Sequence, residues 1–163
     1  MRSITTRQAT RIFSVTLFTL ALGLVQAQAK SDFSGTWKID SAKSDFGPMP
    51  APDSITQKIT HVDPSLKANV ATTGGMQGDM TYDVNYTTDG KECVNKLGEN
   101  EFKSTLKWDG DDLIVDTKGS FSGNDFTSKD RWTLSSDGKT LTVARHISSP
   151  MGEADMKEVF AKQ

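Results

Sequence analysis

Met80-Thr81-Tyr82-Asp83-Val84-Asn85-Tyr86 decides the fold class of this 163-residue chain. Met80, Tyr82, Val84 and Tyr86 alternate with Thr81, Asp83 and Asn85. A period of two puts the first set on one face of a β-strand and the second on the other. One face then meets a core and the other meets water. Asp89-Gly90 follows, and a glycine with access to positive φ is what a tight hairpin turn needs.

The same pattern extends in both directions. Upstream, Gly74-Gly75 ends a strand in which Leu66, Ala68 and Val70 share a face. Asp63-Pro64-Ser65 is a turn, and Ile55 to Val62 is a strand rich in β-branched residues. Downstream, a strand over Lys91 to Leu97 turns at Gly98-Glu99-Asn100, and Phe102, Ser104, Leu106 and Trp108 alternate after it. Asp109-Gly110-Asp111 reads as a hairpin, with Leu113 and Val115 in phase beyond it. Gly119 to Asn124 reads as a looser connection before a strand over Phe126 to Ser135. Ser136-Asp137-Gly138-Lys139 turns again, Leu141, Val143, Arg145 and Ile147 alternate, and a last strand covers Glu153 to Phe160.

With a first strand at Phe33-Ser34-Gly35-Thr36-Trp37-Lys38-Ile39, the count is about ten strands and no helix after Lys30. Short connections make successive strands antiparallel neighbours. The expected fold is all-β, an antiparallel up-and-down meander of about 8–10 strands that closes into a barrel and so removes its edges. A two-sheet sandwich is the alternative. One connection is different: between the first two strands, Asp40 to Asp53 contains Pro48, Pro50 and Pro52. Proline there forbids a helix or a central strand. The segment is an extended loop whose only large apolar side chains are Phe46 and Met49, placed either to pack on the body or to lie across an opening.

Residues 1–29 have a different character. Arg2, Arg7 and Arg11 come with no acidic residue, Ile12 to Val25 is apolar, and Ala27-Gln28-Ala29 closes the stretch. These are the parts of a secretory signal peptide, with cleavage expected after Ala29. The apolar stretch is short for a membrane span, which needs about 20 residues. An uncleaved anchor is the competing reading. The two domains expected are therefore the signal at 1–29 and the barrel at 30–163, with a periplasmic or extracellular location and no stable membrane insertion after cleavage.

Loss of three arginines would leave the remainder with a net charge of about −5. That excludes a nucleic-acid partner, which requires a concentrated basic surface. Cys93 is the only cysteine, so no intrachain disulfide forms, and it reads as a small apolar filler. His61 and His146 are the only histidines and lie in no Cys/His cluster, so no metal or other cofactor is expected.

Gly35-Thr36-Trp37-Lys38 at the first strand resembles the Gly-x-Trp of lipocalins and the Gly-Thr-Trp-Lys of fatty-acid-binding proteins. Trp108-Asp109-Gly110 and the closing Lys157-Glu158-Val159-Phe160-Ala161-Lys162 extend the resemblance over the barrel region. The chain is similar to these calycin families, and most of all to exported lipocalin-like proteins of bacteria. The resemblance implies an up-and-down barrel holding one apolar molecule. It also implies that Trp37 packs under an arginine from a late strand at the closed end, a place Arg145 would fill. Two departures stand out. The proline-rich loop replaces the two short helices of the fatty-acid-binding type, and the Arg-x-Tyr pair that grips a fatty-acid carboxylate is missing from the last strand.

Candidate ligand-binding residues are Tyr82, Tyr86, Phe102, Trp108, Phe126, Trp132 and Arg145. The aromatics are the material of an apolar cavity, and equally of an ordinary core. The two tyrosine hydroxyls can orient a ligand. Arg145 lies in phase with Leu141 and Val143, and a buried arginine needs a carboxylate partner or an anionic ligand. Asp130 and Glu158 are the protein candidates, whereas Arg131 falls on the solvated face. No catalytic residue is assigned. Gly-x-Ser-x-Gly, His-Glu-x-x-His and phosphate-binding loops are absent, and Asp109 to Asp112 lacks EF-hand spacing. The expected function is non-enzymatic binding of a small apolar ligand. The alternative is a ligand-free structural or protein-interaction module of the cell envelope with the proline-rich loop as its contact surface. An isomerase or cyclase on the same barrel is a third reading.

Overall fold

Each alternating run becomes one strand of a single antiparallel sheet. The computed structural model describes residues 30–75, 78–121 and 123–163. The expected signal segment, 1–29, lies outside the described residues. The strands are β1 (Gly35–Ile39), β2 (Ser54–Val62), β3 (Ser65–Thr73), β4 (Met80–Thr87), β5 (Asp89–Leu97), β6 (Asn100–Asp109), β7 (Asp112–Phe121), β8 (Asn124–Leu134), β9 (Thr140–Ser149) and β10 (Gly152–Lys162).

Their order across the sheet is β4-β3-β2-β1-β10-β9-β8-β7-β6-β5. Within that order each strand pairs with a neighbour in sequence, and β1 pairs with β10, with Trp37 opposite Lys162. The meander thus rolls into a nearly closed barrel, and the sandwich alternative is excluded. Only β4 and β5 lack a backbone ladder among the described residues. Side chains span that seam. Asn85 N–H donates to Asn95 Oδ1 at 2.8 Å, and Asn95 Nδ2 donates back to the Asn85 carbonyl at 3.1 Å. Beside them Thr87 N–H donates to Cys93 Sγ at 3.1 Å. Asn95 therefore does for one residue pair what a strand ladder does elsewhere.

The connection expected to be loose, Gly119 to Asn124, is mostly strand. The β7–β8 ladder runs through Gly119↔Phe126 to Phe121↔Asn124. Its glycine marks a close approach, not a turn. A Cβ on Gly119 would meet Phe102 Cδ1 at 2.5 Å, and the Phe102 and Phe126 rings pack 5.9 Å apart there. A bare backbone gives both rings room to lie over β7.

The inward face of the barrel divides along its axis. Phe33, Trp37, Leu66, Leu106, Leu113, Leu141 and Phe160 are fully buried and fill one end. Further along the same strands the inward residues border a hollow. The loop between β1 and β2 crosses that open end. Asp45 pairs with Lys157 of β10 through reciprocal backbone hydrogen bonds of 2.7 Å, which ties the loop down. Phe46 packs on the core, and Met49, Pro50 and Pro52 border the hollow. Of the two places open to this loop's apolar side chains, Phe46 and Met49 occupy both.

Candidate functional site

The hollow is a cavity of about 540 Å³. Ile55, Val70, Met80, Val84, Val115 and Met156 give it an apolar wall. Six of the seven residues singled out from the sequence border it: Tyr82 and Tyr86 on β4, Phe102 on β6, Phe126 and Trp132 on β8, and Arg145 on β9. Trp108 does not. It faces inward as its phase requires, but it stands at the filled end, against Phe33 and His61 at ring separations of 6.1 and 5.9 Å. Its indole N–H donates to Asp63 Oδ1 at 3.0 Å. Alternation assigns a side chain to a face. It says nothing of the depth along the barrel, and depth is what removes Trp108 from the cavity.

The filled end is a small polar knot inside aromatics. Phe33 N–H donates to His61 Nδ1 at 3.3 Å, and the Phe33 carbonyl accepts from Trp37 Nε1 at 2.9 Å. His61 is buried, and burial holds its imidazole below the ordinary histidine value despite Asp32 and Asp63 nearby. The Trp37–Arg145 contact implied by the lipocalin resemblance is not formed. Lys162 Nζ lies 5.1 Å from the Trp37 ring centroid instead. Register is the reason. Lys162 faces Trp37 directly, whereas Arg145 pairs with Met156, six residues away along β10. At roughly 3.3 Å per residue that is ~20 Å.

Arg145 belongs to the cavity. In the β8–β9 ladder it stands opposite Asp130. Its Nε donates to Asp130 Oδ1 and Oδ2 at 3.0 and 2.9 Å, and Nη2 donates to Oδ2 at 2.7 Å. Two residues past Met156, on the same inward face, Glu158 brings Oε2 to 3.7 Å from Nη1. Both carboxylates named from the sequence as partners are thus the ones found. Ser128 donates to Asp130 Oδ1 at 3.0 Å and completes the cluster. Burial alone would lower the guanidinium's pKa, but the Asp130 and Glu158 charges outweigh it and raise the value. Arg145 keeps 29% of its side chain accessible, on the cavity side. Burial pushes the Tyr82 and Tyr86 phenols up, so both stay neutral well above physiological pH. Among the described residues neither hydroxyl has a hydrogen-bond partner.

Asn95, Thr117, Ser128, Met156, Glu158 and the loop residues also border the cavity and were not among the candidates. Of these, Glu158 is the one the sequence reading names as a partner for Arg145. Asn95 gave a weaker signal, because β5 carries Val94 outward, half exposed, and Asn95 inward.

No family model matches the chain, and no curated protein matches it in sequence. Solved structures do match it in shape. A secretory abundant heat soluble protein of Ramazzottius varieornatus superposes with a TM-score of 0.60 at 13% identity, over 82% of this chain and 100% of that one. The zebrafish ileal bile acid-binding protein, complexed with cholic acid, gives 0.59 at 17% identity, over 82% and 100%. A point mutant of the fatty acid transporter REP1-NXSQ gives 0.57 at 18% identity, over 80% and 97%. The chain shares its up-and-down β-barrel fold with these three proteins. Its strand count, strand order and seam between β4 and β5 follow from the residues described above.

Proposed function

We propose that this protein is an exported, non-enzymatic carrier that holds one small apolar ligand inside its barrel. The observation that carries the reading is the cavity: about 540 Å³, walled by apolar side chains, with one polar cluster on its wall and a loop across its mouth. Ligand sites occupy roughly 300–1,000 Å³ and combine apolar walls with a few placed polar groups. Barrels of the same fold include proteins described as a fatty acid transporter and a bile acid-binding protein with cholic acid bound. The non-enzymatic part of the reading is supported by what borders the cavity. Neither His61, His146 nor Cys93 is among its lining residues, so it presents no nucleophile with an imidazole base. Export is supported by the basic, apolar and Ala-x-Ala succession of residues 1–29.

The test is to purify the protein from its native host, extract it with organic solvent and identify the released molecules by mass spectrometry. A recurrent apolar compound, with Nile red binding by the stripped protein, is the expected result. An empty extract together with no Nile red binding would sink the carrier reading and leave the interaction module. A mass starting at Lys30 for protein recovered outside the cytoplasm checks export.

A further inference from the structure

The polar cluster says which end group the ligand carries, an inference that rests on the carrier reading above. Among the described residues Arg145 is the only arginine bordering the cavity, and two of its three donor nitrogens are already engaged. Nε and Nη2 are spent on Asp130, whose side chain is only 7% exposed. A ligand carboxylate or phosphate entering here would have to displace Asp130 and strand it, buried, without its counter-charge. Breaking a buried pair in that way costs more than the new contact returns. Among the described residues Nη1 makes no hydrogen bond, but Glu158 stands 3.7 Å from it, so an anion reaching that nitrogen would meet a carboxylate beside it. Lys96 also borders it, but that side chain is exposed to solvent.

What the cluster does offer is an acceptor. Glu158 lines the cavity with its side chain 13% exposed. Its one charged neighbour, Arg145 Nη1, stands at 3.7 Å, beyond hydrogen-bond reach. Among the described residues Glu158 accepts no hydrogen bond. Two carboxylates face one guanidinium, so a formal negative charge is left over in an apolar wall, and a buried carboxylate without donors is costly. Tyr82 borders the same cavity, close enough to feel the charges of both Arg145 and Glu158, and its hydroxyl can accept a hydrogen bond. We propose that the cavity takes an amphiphilic amine: an apolar body lying among Ile55, Val70, Met80 and Phe126, and a protonated amine donating to Glu158 and to Tyr82.

Three probes of equal chain length test this: dodecylamine, dodecanol and dodecanoic acid, each displacing Nile red from the full protein below its micelle-forming concentration. Dodecylamine should compete at a concentration at least ~tenfold lower than dodecanoic acid, with dodecanol between them. Glu158→Gln should shrink the amine-to-acid ratio by about tenfold, since it removes the charge and keeps the shape. Dodecanoic acid binding as tightly as the amine, or a ratio that Glu158→Gln leaves unchanged, overturns the inference and spares the carrier reading. Nile red that does not bind, with no competition by any probe, overturns both. The ranking on the unaltered protein decides the matter even if the variant does not fold.

Discussion

Asp130 holds Arg145 through three hydrogen bonds of 3.0, 2.9 and 2.7 Å inside the barrel, with both residues at one level of the β8–β9 ladder. The pair resolves the question raised by an arginine in phase with Leu141 and Val143. Its charge is answered by protein before any ligand arrives. Asp130→Ala should leave the guanidinium with Glu158 alone at 3.7 Å. Removing one partner of a buried pair costs about 3–5 kcal/mol, and the residual Glu158 attraction puts this case at the lower end. Urea denaturation measures it. The same variant, if folded, should gain affinity for dodecanoic acid in Nile red competition, because the arginine's donors become available.

Asn95 closes the seam between β4 and β5 by donating to and accepting from the backbone of Asn85. Asn95→Ala removes both bonds, and because Asn85 is exposed and water can reach its freed groups, the cost should be about 1 kcal/mol. The Asn85 amide should exchange its hydrogen faster in the variant, while amides in the β7–β8 ladder keep their protection. Uniform loss of protection across the barrel would show that the seam has no separate role.

The two residue pairs also show how far the sequence can be read. Asp130 and Glu158 were legible because a buried charge demands a partner, and Arg145 because a period of two puts it on the inward face. The ten strands were legible for the same reason. Position along the axis was not. Trp108 and Phe102 share a face of β6, yet one stands at the filled end and the other in the cavity. That difference depends on the register across ten strands, which no single strand encodes. Lys162 over Trp37 was missed on the same ground, because the partner depends on which residue of β10 lies opposite β1. Gly119 misled in another way. It was read as the start of a looser connection running to Asn124, whereas here it sits in β7 and makes room for two rings.

Gly119→Ala tests that account. The position lacks a positive φ, so its backbone accepts alanine without strain, and the cost comes from the Phe102 ring 2.5 Å from the new Cβ. Overpacking of this kind costs typically about 1–3 kcal/mol. Phe102 and Phe126 both border the cavity, so the displaced ring should also weaken Nile red binding. A second substitution, Phe102→Leu, should restore part of the stability of Gly119→Ala, and a double-mutant cycle by urea denaturation gives the coupling.

His61 supplies a pH dependence whose sign can be worked out. Burial lowers its pKa from 6.5 in the folded chain, and its Nδ1 is occupied as the acceptor of the Phe33 N–H. The unfolded chain binds the proton more readily than the folded one. Stability is therefore full above about pH 6.5 and falls as the pH drops through the interval between 6.5 and the lower folded value, below which this contribution is level. Asp32 and Asp63, each 3.9 Å from the ring, have carboxyls held below their ordinary value, chiefly by side-chain hydrogen bonds from Ser34 and Thr88. His61→Asn keeps an acceptor near the Nδ1 position and removes the titration. The urea midpoint of the unaltered protein should decline as the pH is lowered from about 7.5 to about 5, and that of His61→Asn should decline less. Equal slopes for the two proteins would place the sensitivity elsewhere and remove His61 from the account of the filled end.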